Sequence, residues 1–96
     1  MLVVIANHIP PAVRGRMKLW FVEPKPNVFI SGINDSVADS VVDYLFSHCP
    51  MSSGLIIFQK QKRAPGFKIR SSGVTDREII NFNGLQLILE NPDDVL

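Results

Sequence analysis

Hydrophobic and polar positions divide the chain into short blocks. Met1-Leu2-Val3-Val4-Ile5-Ala6 is an unbroken apolar run, the pattern of a central strand buried on both faces. After Asn7-His8-Ile9 come Pro10 and Pro11, which suit a first helical turn because a missing amide hydrogen is harmless there. Val13, Met17 and Phe21 then recur on one face, so a helix is predicted from the proline pair until Pro24-Lys25-Pro26 stops it. Asn27 to Ser31 has the character of a short second strand, followed by turn and N-cap chemistry at Gly32 and Asn34-Asp35. A second helix carries Val37, Val41 and Leu45 in one stripe, widened by Ala38, Val42 and Tyr44, and ends at Cys49-Pro50. Leu55 to Gln61 and Phe67 to Ser71 form two further strands, joined as a hairpin by Lys62-Arg63-Ala64-Pro65-Gly66.

The resulting order is strand, helix, strand, helix, hairpin. Four strands in one antiparallel sheet, with both helices on one face, would bury both apolar stripes. The expected fold is therefore an α+β, ferredoxin-like sandwich of the βαββαβ type. Gly84-Leu85-Gln86-Leu87-Ile88-Leu89-Glu90 remains as an extra C-terminal strand, which needs a sheet edge in its own subunit or in a partner. The connection from Gly73 to Asn83 is long enough to leave the domain, which favours the partner. Residues 1–73 are accordingly expected as the ferredoxin-like domain and 74–96 as a tail packing on a partner. A chain of 96 residues holds one compact core, and a core this small gains from burial at a subunit interface, so a homodimer is expected.

Composition excludes several classes. The hydrophobic share of 46% is ordinary for a globular protein, and no apolar run approaches the roughly twenty residues that span a bilayer. The first strand has no basic segment before it and no small-residue cleavage site, so it is not expected to act as a signal peptide. With Cys49 alone there is no intramolecular disulfide, and no Cys/His spacing suits zinc. A soluble protein of the reducing cytoplasm is the expectation.

The formal charge of +1 conceals a separation along the chain. Arg14, Arg16 and Lys18 form one basic group; Lys60, Lys62, Arg63, Lys68 and Arg70 form another. Asp35, Asp39 and Asp43 share a helical face, and Glu90, Asp93 and Asp94 lie near the end. Binding to nucleic acid responds to local field and not to the total, so a near-neutral sum is compatible with it. Between the two arginines sits Gly15, which costs a helix interior about 1 kcal/mol relative to Ala and suggests a close backbone approach. Arginine binds phosphate bidentately, and a helix N-terminus nearby favours an anion. The ordinary alternative for such residues is a solvated helix face. Trp20, Phe21 and Phe29 fall on apolar stripes and belong to the core, leaving no aromatic platform and no recognition helix. Duplex binding without sequence preference follows. His8 has a general-base imidazole but sits where loop polarity alone accounts for it, and His48 in a last helical turn is favoured by the dipole.

The first strand, the Ile9-Pro10-Pro11 step, Arg14-Gly15-Arg16 with Leu19-Trp20 behind it, Gly66-Phe67 and Asn83-Gly84-Leu85-Gln86-Leu87 together resemble the CRISPR-associated Cas-two family in its type I-E branch. The resemblance covers nearly the whole chain. It implies a ferredoxin-like homodimer that bridges two dimers of the Cas-one integrase and holds a duplex DNA protospacer during spacer acquisition. Arg14, Arg16, Lys18 and Arg77, with Lys60, Lys62 and Arg63 added by their charge, are the expected contacts to nucleic acid. Arg77 matches one of two adjacent basic residues in relatives, the other position being Asp76 here. Other family members are described as magnesium-dependent endonucleases on RNA or double-stranded DNA, with an acidic metal ligand at the end of the first strand. That position is Asn7, with His8 beside it, so these two are the catalytic and metal candidates for a nuclease. A neutral amide is a poorer ligand for hard Mg2+ than a carboxylate, and Ala64 likewise replaces an acidic residue of relatives. A bridging subunit, needing no cofactor, is therefore preferred to the endonuclease, and a metabolite-binding regulatory module ranks third.

Overall fold

The computed structural model describes residues 1–73, 77–82 and 85–90, the last two segments as backbone alone. Strand β1 (Leu2–Ile5) lies at the centre of a five-stranded antiparallel sheet. It is followed by α1 (Pro11–Met17), β2 (Val22–Lys25), β3 (Val28–Ser31), α2 (Asp35–His48), β4 (Leu55–Lys60) and β5 (Phe67–Ser72). The spatial order is β2-β3-β1-β4-β5. The first four strands with their two helices thus follow the βαββαβ order expected of a ferredoxin-like fold, and β5 is added at the edge beside β4.

One strand of that arrangement, β2, lies where the hydrophobic pattern predicts the end of a helix. α1 stops at Met17, after which the amide of Phe21 still bonds the Met17 carbonyl at 2.8 Å. The turn keeps Phe21 pointing into the core, so the stripe Val13, Met17, Phe21 is real although the helix ends inside it. Val22–Lys25 then pairs with β3, and Pro26-Asn27 makes the tip, with Asn27 in the left-handed region at φ 64°. Proline followed by a left-handed Asn suits the centre of a tight turn. Pro24 is tolerated because β2 is an edge strand, where a missing donor disrupts no ladder.

Sheet register separates two faces. Leu2, Val4, Phe29, Leu55 and Ile57 pack under Val13 and Met17 of α1 and Ala38, Val41, Val42 and Leu45 of α2. The opposite face carries Val3 beside Ile30 and Phe58, and Ile5 beside Val28 and Ile56, and neither α1 nor α2 lies on it. Ile5 is 39% exposed and Phe67 38%, a high share for such side chains on a sheet. Helix α2 follows its sequence signals closely: the Asn34 side chain accepts from the Val37 amide at 3.1 Å, and the helix ends before Cys49-Pro50.

Beyond β5, Arg77–Phe82 forms β6 and pairs with β7 (Leu85–Glu90) as an antiparallel hairpin of the same chain. The connection expected between Gly73 and Asn83 therefore contains a strand, and β7 pairs along one edge with β6 of its own chain. The Arg77 side chain, Asp76 and the segment 91–96 lie outside the described residues.

Candidate nucleic-acid interface

Arg14 and Arg16 stand two residues apart on α1, about 200° around the helix axis, and reach opposite flanks. Arg14 turns toward the β2–β3 hairpin. Its Nη1 donates to Glu23 Oε1 and Oε2 at 2.6 and 2.5 Å, and its Nη2 donates to Asn27 Oδ1 at 2.7 Å. The Asn27 backbone N–H donates to Glu23 Oε2 at 2.8 Å, and the guanidinium lies 5.4 Å from the Phe29 ring centre. The Arg14 hydrogen bond, and after it that of the Asn27 amide, hold the Glu23 carboxyl below the ordinary glutamate range. Arg14 is thus an internal clasp between helix and hairpin.

Arg16 turns toward α2. Its guanidinium sits 5.9 Å from the Trp20 ring centre and 5.4 Å from that of Tyr44, and these two rings meet edge to face at 5.7 Å. Tyr44 in turn stacks on His48, whose Nδ1 lies 2.9 Å from the Tyr44 carbonyl, so His48 has a structural place in the last turn of α2. Arg16 is exposed and enters no ion pair among the described residues. Gly15 between them has open space within 4 Å of where a Cβ would stand, so the close approach its sequence suggests is not made by this chain's own atoms. α1 is a seven-residue helix without a side-chain cap, too short for its N-terminus to act as an anion site.

The second basic group divides. Arg70 faces the helices, donating to Gln59 Oε1 and, at 3.5 Å, to Asp39 Oδ1. Lys60, Lys62 and Arg63 stay exposed and unpaired among the described residues. Because β4 runs antiparallel to β1, with Leu2 opposite Gln59, these three leave the sheet at its Met1 end. Helix α1, which starts beyond Ile5 and leads back to Val22 opposite Ile30, finishes toward that same end and brings Lys18 there.

Asn7 and His8 occupy the other end. Both are exposed; the Asn7 amide donates to the Ser53 carbonyl at 2.8 Å, and its carbonyl accepts from Asn27 Nδ2 at 2.9 Å. Residues 1–87 match the sequence profile of the family described as CRISPR-associated protein (Cas_Cas2CT1978). The chain belongs to the CRISPR-associated Cas-two family. For a Cas-two chain, the donor set at this strand end does not fit a hard divalent cation. Asn7 brings a neutral amide, the neighbouring carboxylate Glu23 is taken up by Arg14 and Asn27, and no group of three His, Cys, Asp or Glu able to hold a metal occurs among the described residues. Nor is any described helix long and apolar enough to cross a membrane. What the sequence leaves invisible in this Cas-two chain is Glu23, nine residues from Arg14 on a strand read as helix.

Proposed function

We propose that this chain is a CRISPR adaptation subunit of the type I-E branch: a homodimer that bridges two Cas-one integrase dimers and grips the backbone of a duplex protospacer without reading its sequence. Family membership supports the setting. The observation that carries the binding role is Arg16, an exposed guanidinium without a carboxylate partner among the described residues, braced between Trp20 and Tyr44. A planar cation already fixed by two rings loses little freedom when it takes up a phosphate. Lys18 and the Lys60, Lys62 and Arg63 group extend the positive surface at one end of the sheet. Contacts of this kind act through counterion release and are blind to base identity. The apolar side chains on the sheet face opposite α1 and α2, with Ile5 and Phe67 exposed among them, support pairing of two copies, since exposed apolar surface marks an interaction site.

Duplex affinity measured across a salt series tests the reading. Arg16→Ala should weaken binding equally on unrelated sequences and flatten the slope of log K against log salt by about 0.9 for each copy that contacts the duplex, one released counterion apiece. Unchanged affinity and slope would remove Arg16 from the interface, and a wild-type protein without duplex affinity at low salt would remove the function.

A further inference from the structure

The arrangement around Glu23 has the parts of a phosphate site with the anion supplied from within. Its carboxylate accepts both from the Arg14 guanidinium and from a main-chain N–H, that of Asn27. The same pair of donors, a forked guanidinium and a backbone amide at a left-handed turn, is what phosphate oxygens take from proteins. Asn27 is fixed for this purpose. Its φ of 64° aims the amide at Glu23, its Nδ2 bonds the Asn7 carbonyl, its Oδ1 accepts from Arg14, and its carbonyl accepts from the Ala6 amide at 3.0 Å. Arg14, Glu23, Pro24, Lys25, Pro26 and Asn27 line one open depression, and the side chains of Arg14 and Glu23 are 32% and 29% exposed, so an external anion has access. Lys18 and Lys25 add positive charge around the single carboxylate, since Lys18 acts on Glu23 through space and Lys25 lines the depression.

We infer that the depression between α1 and the β2–β3 hairpin is a phosphate-binding site held closed by Glu23, which stands in for the phosphodiester that Arg14 and the Asn27 amide would otherwise bind. This rests on the duplex-binding reading for its natural ligand. Arg16 is then the contact available at every moment, while Arg14 joins only when a backbone phosphate displaces the carboxylate. Glu23 raises the threshold for engagement and makes the grip depend on how many phosphates arrive together.

Glu23→Gln keeps the shape and an oxygen acceptor for the Asn27 amide but removes the charge, and it provides the test. With a short duplex, the variant is expected to bind more tightly than wild type and to show a salt slope steeper by about 0.9 for each copy that contacts the duplex. Arg14→Ala should cost wild type little affinity but abolish the whole gain in the Glu23→Gln background, the non-additivity of two groups sharing one site. Equal slopes in wild type and Glu23→Gln, with duplex binding intact, would overturn the inference and leave the proposed function standing. If wild type binds no duplex, the proposed function falls, and inorganic phosphate titrated into Glu23→Gln decides the inference alone. Movement of the Asn27 amide resonance that Arg14→Ala removes would support the site, and a silent Asn27 would refute it. Glu23→Asp, which retains the charge, should bind as wild type does; a gain there equal to that of Glu23→Gln would point to loosening of the hairpin and overturn the site.

Discussion

The Gln59 side-chain amide on β4, 4% exposed as a residue, donates to the Asp39 carboxylate on α2 at 3.0 Å. Arg70 on β5 reaches both, so one polar cluster ties the second helix to two strands of the sheet. Without it Gln59 would be an amide buried in an apolar layer, where unpaired polar groups are expensive.

The two lowered carboxyls give acid sensitivity a definite sign. Gln59 first, with Lys68 and Arg70 adding charge, holds the Asp39 carboxyl below the ordinary aspartate range, as Arg14 does for Glu23. A group with a depressed folded value stabilises the fold above its unfolded value, about 4 for carboxylates, and that stabilisation is lost as pH falls through the lower folded value. Urea midpoints should therefore be flat above about pH 5 and decline below it. Asp39→Asn and Glu23→Gln should each lower the neutral-pH midpoint and flatten the acid decline; an unaltered pH profile in both would show that neither pairing holds in solution.

Gly73 follows β5 at a φ of 83°, with its α-carbon so close to the Met51 carbonyl that a Cβ would overlap that oxygen. Both the backbone angle and the contact exclude a side chain. Gly73→Ala should destabilise the fold by more than about 1 kcal/mol in chemical unfolding. Gly15→Ala, where nothing lies within 4 Å and φ is helical, is expected to be neutral or stabilising, by up to about 1 kcal/mol. Equal responses at the two glycines would contradict this account.

Ile5 offers a way to separate folding from pairing. At 39% exposure on the face opposite α1 and α2, it can accept a charge in an isolated chain. In the proposed dimer two such faces press together and cannot accept it, since an unpaired buried carboxylate is strongly unfavourable. Ile5→Glu should therefore shift sedimentation from dimer to monomer while the circular dichroism spectrum is retained. A variant that still sediments as a dimer would move the interface elsewhere.

Much of this architecture is legible in the sequence where local and tertiary signals agree. Asn34, the Val37/Val41/Leu45 stripe and Pro50 define α2, and the uninterrupted apolar run defines β1. Strand β2 is hidden because Pro24 and Pro26 read as breakers, and because the turn after Met17 preserves the four-residue spacing to Phe21. The ferredoxin-like order is thus anticipated with the wrong fourth strand: β2 completes it, and β5 is the addition. At the site, charge alone treats Arg14 and Arg16 as equals. Only the fold reveals that one is clasped by a carboxylate and the other is cradled by two rings. The neutral Asn7, by contrast, is visible from the start, and its chemistry stays the same in three dimensions.

The prolines of the β2 margin carry a last consequence. A sheet rim lacking the Pro24 amide hydrogen and capped by a tight Pro26-Asn27 corner is a poor template for another backbone to zip onto, so lateral polymerisation from that side is discouraged. Growth of strand-to-strand assemblies is thereby discouraged at this rim, and the two-fold pairing proposed above, which closes on itself once a second copy has joined, needs no free backbone from it.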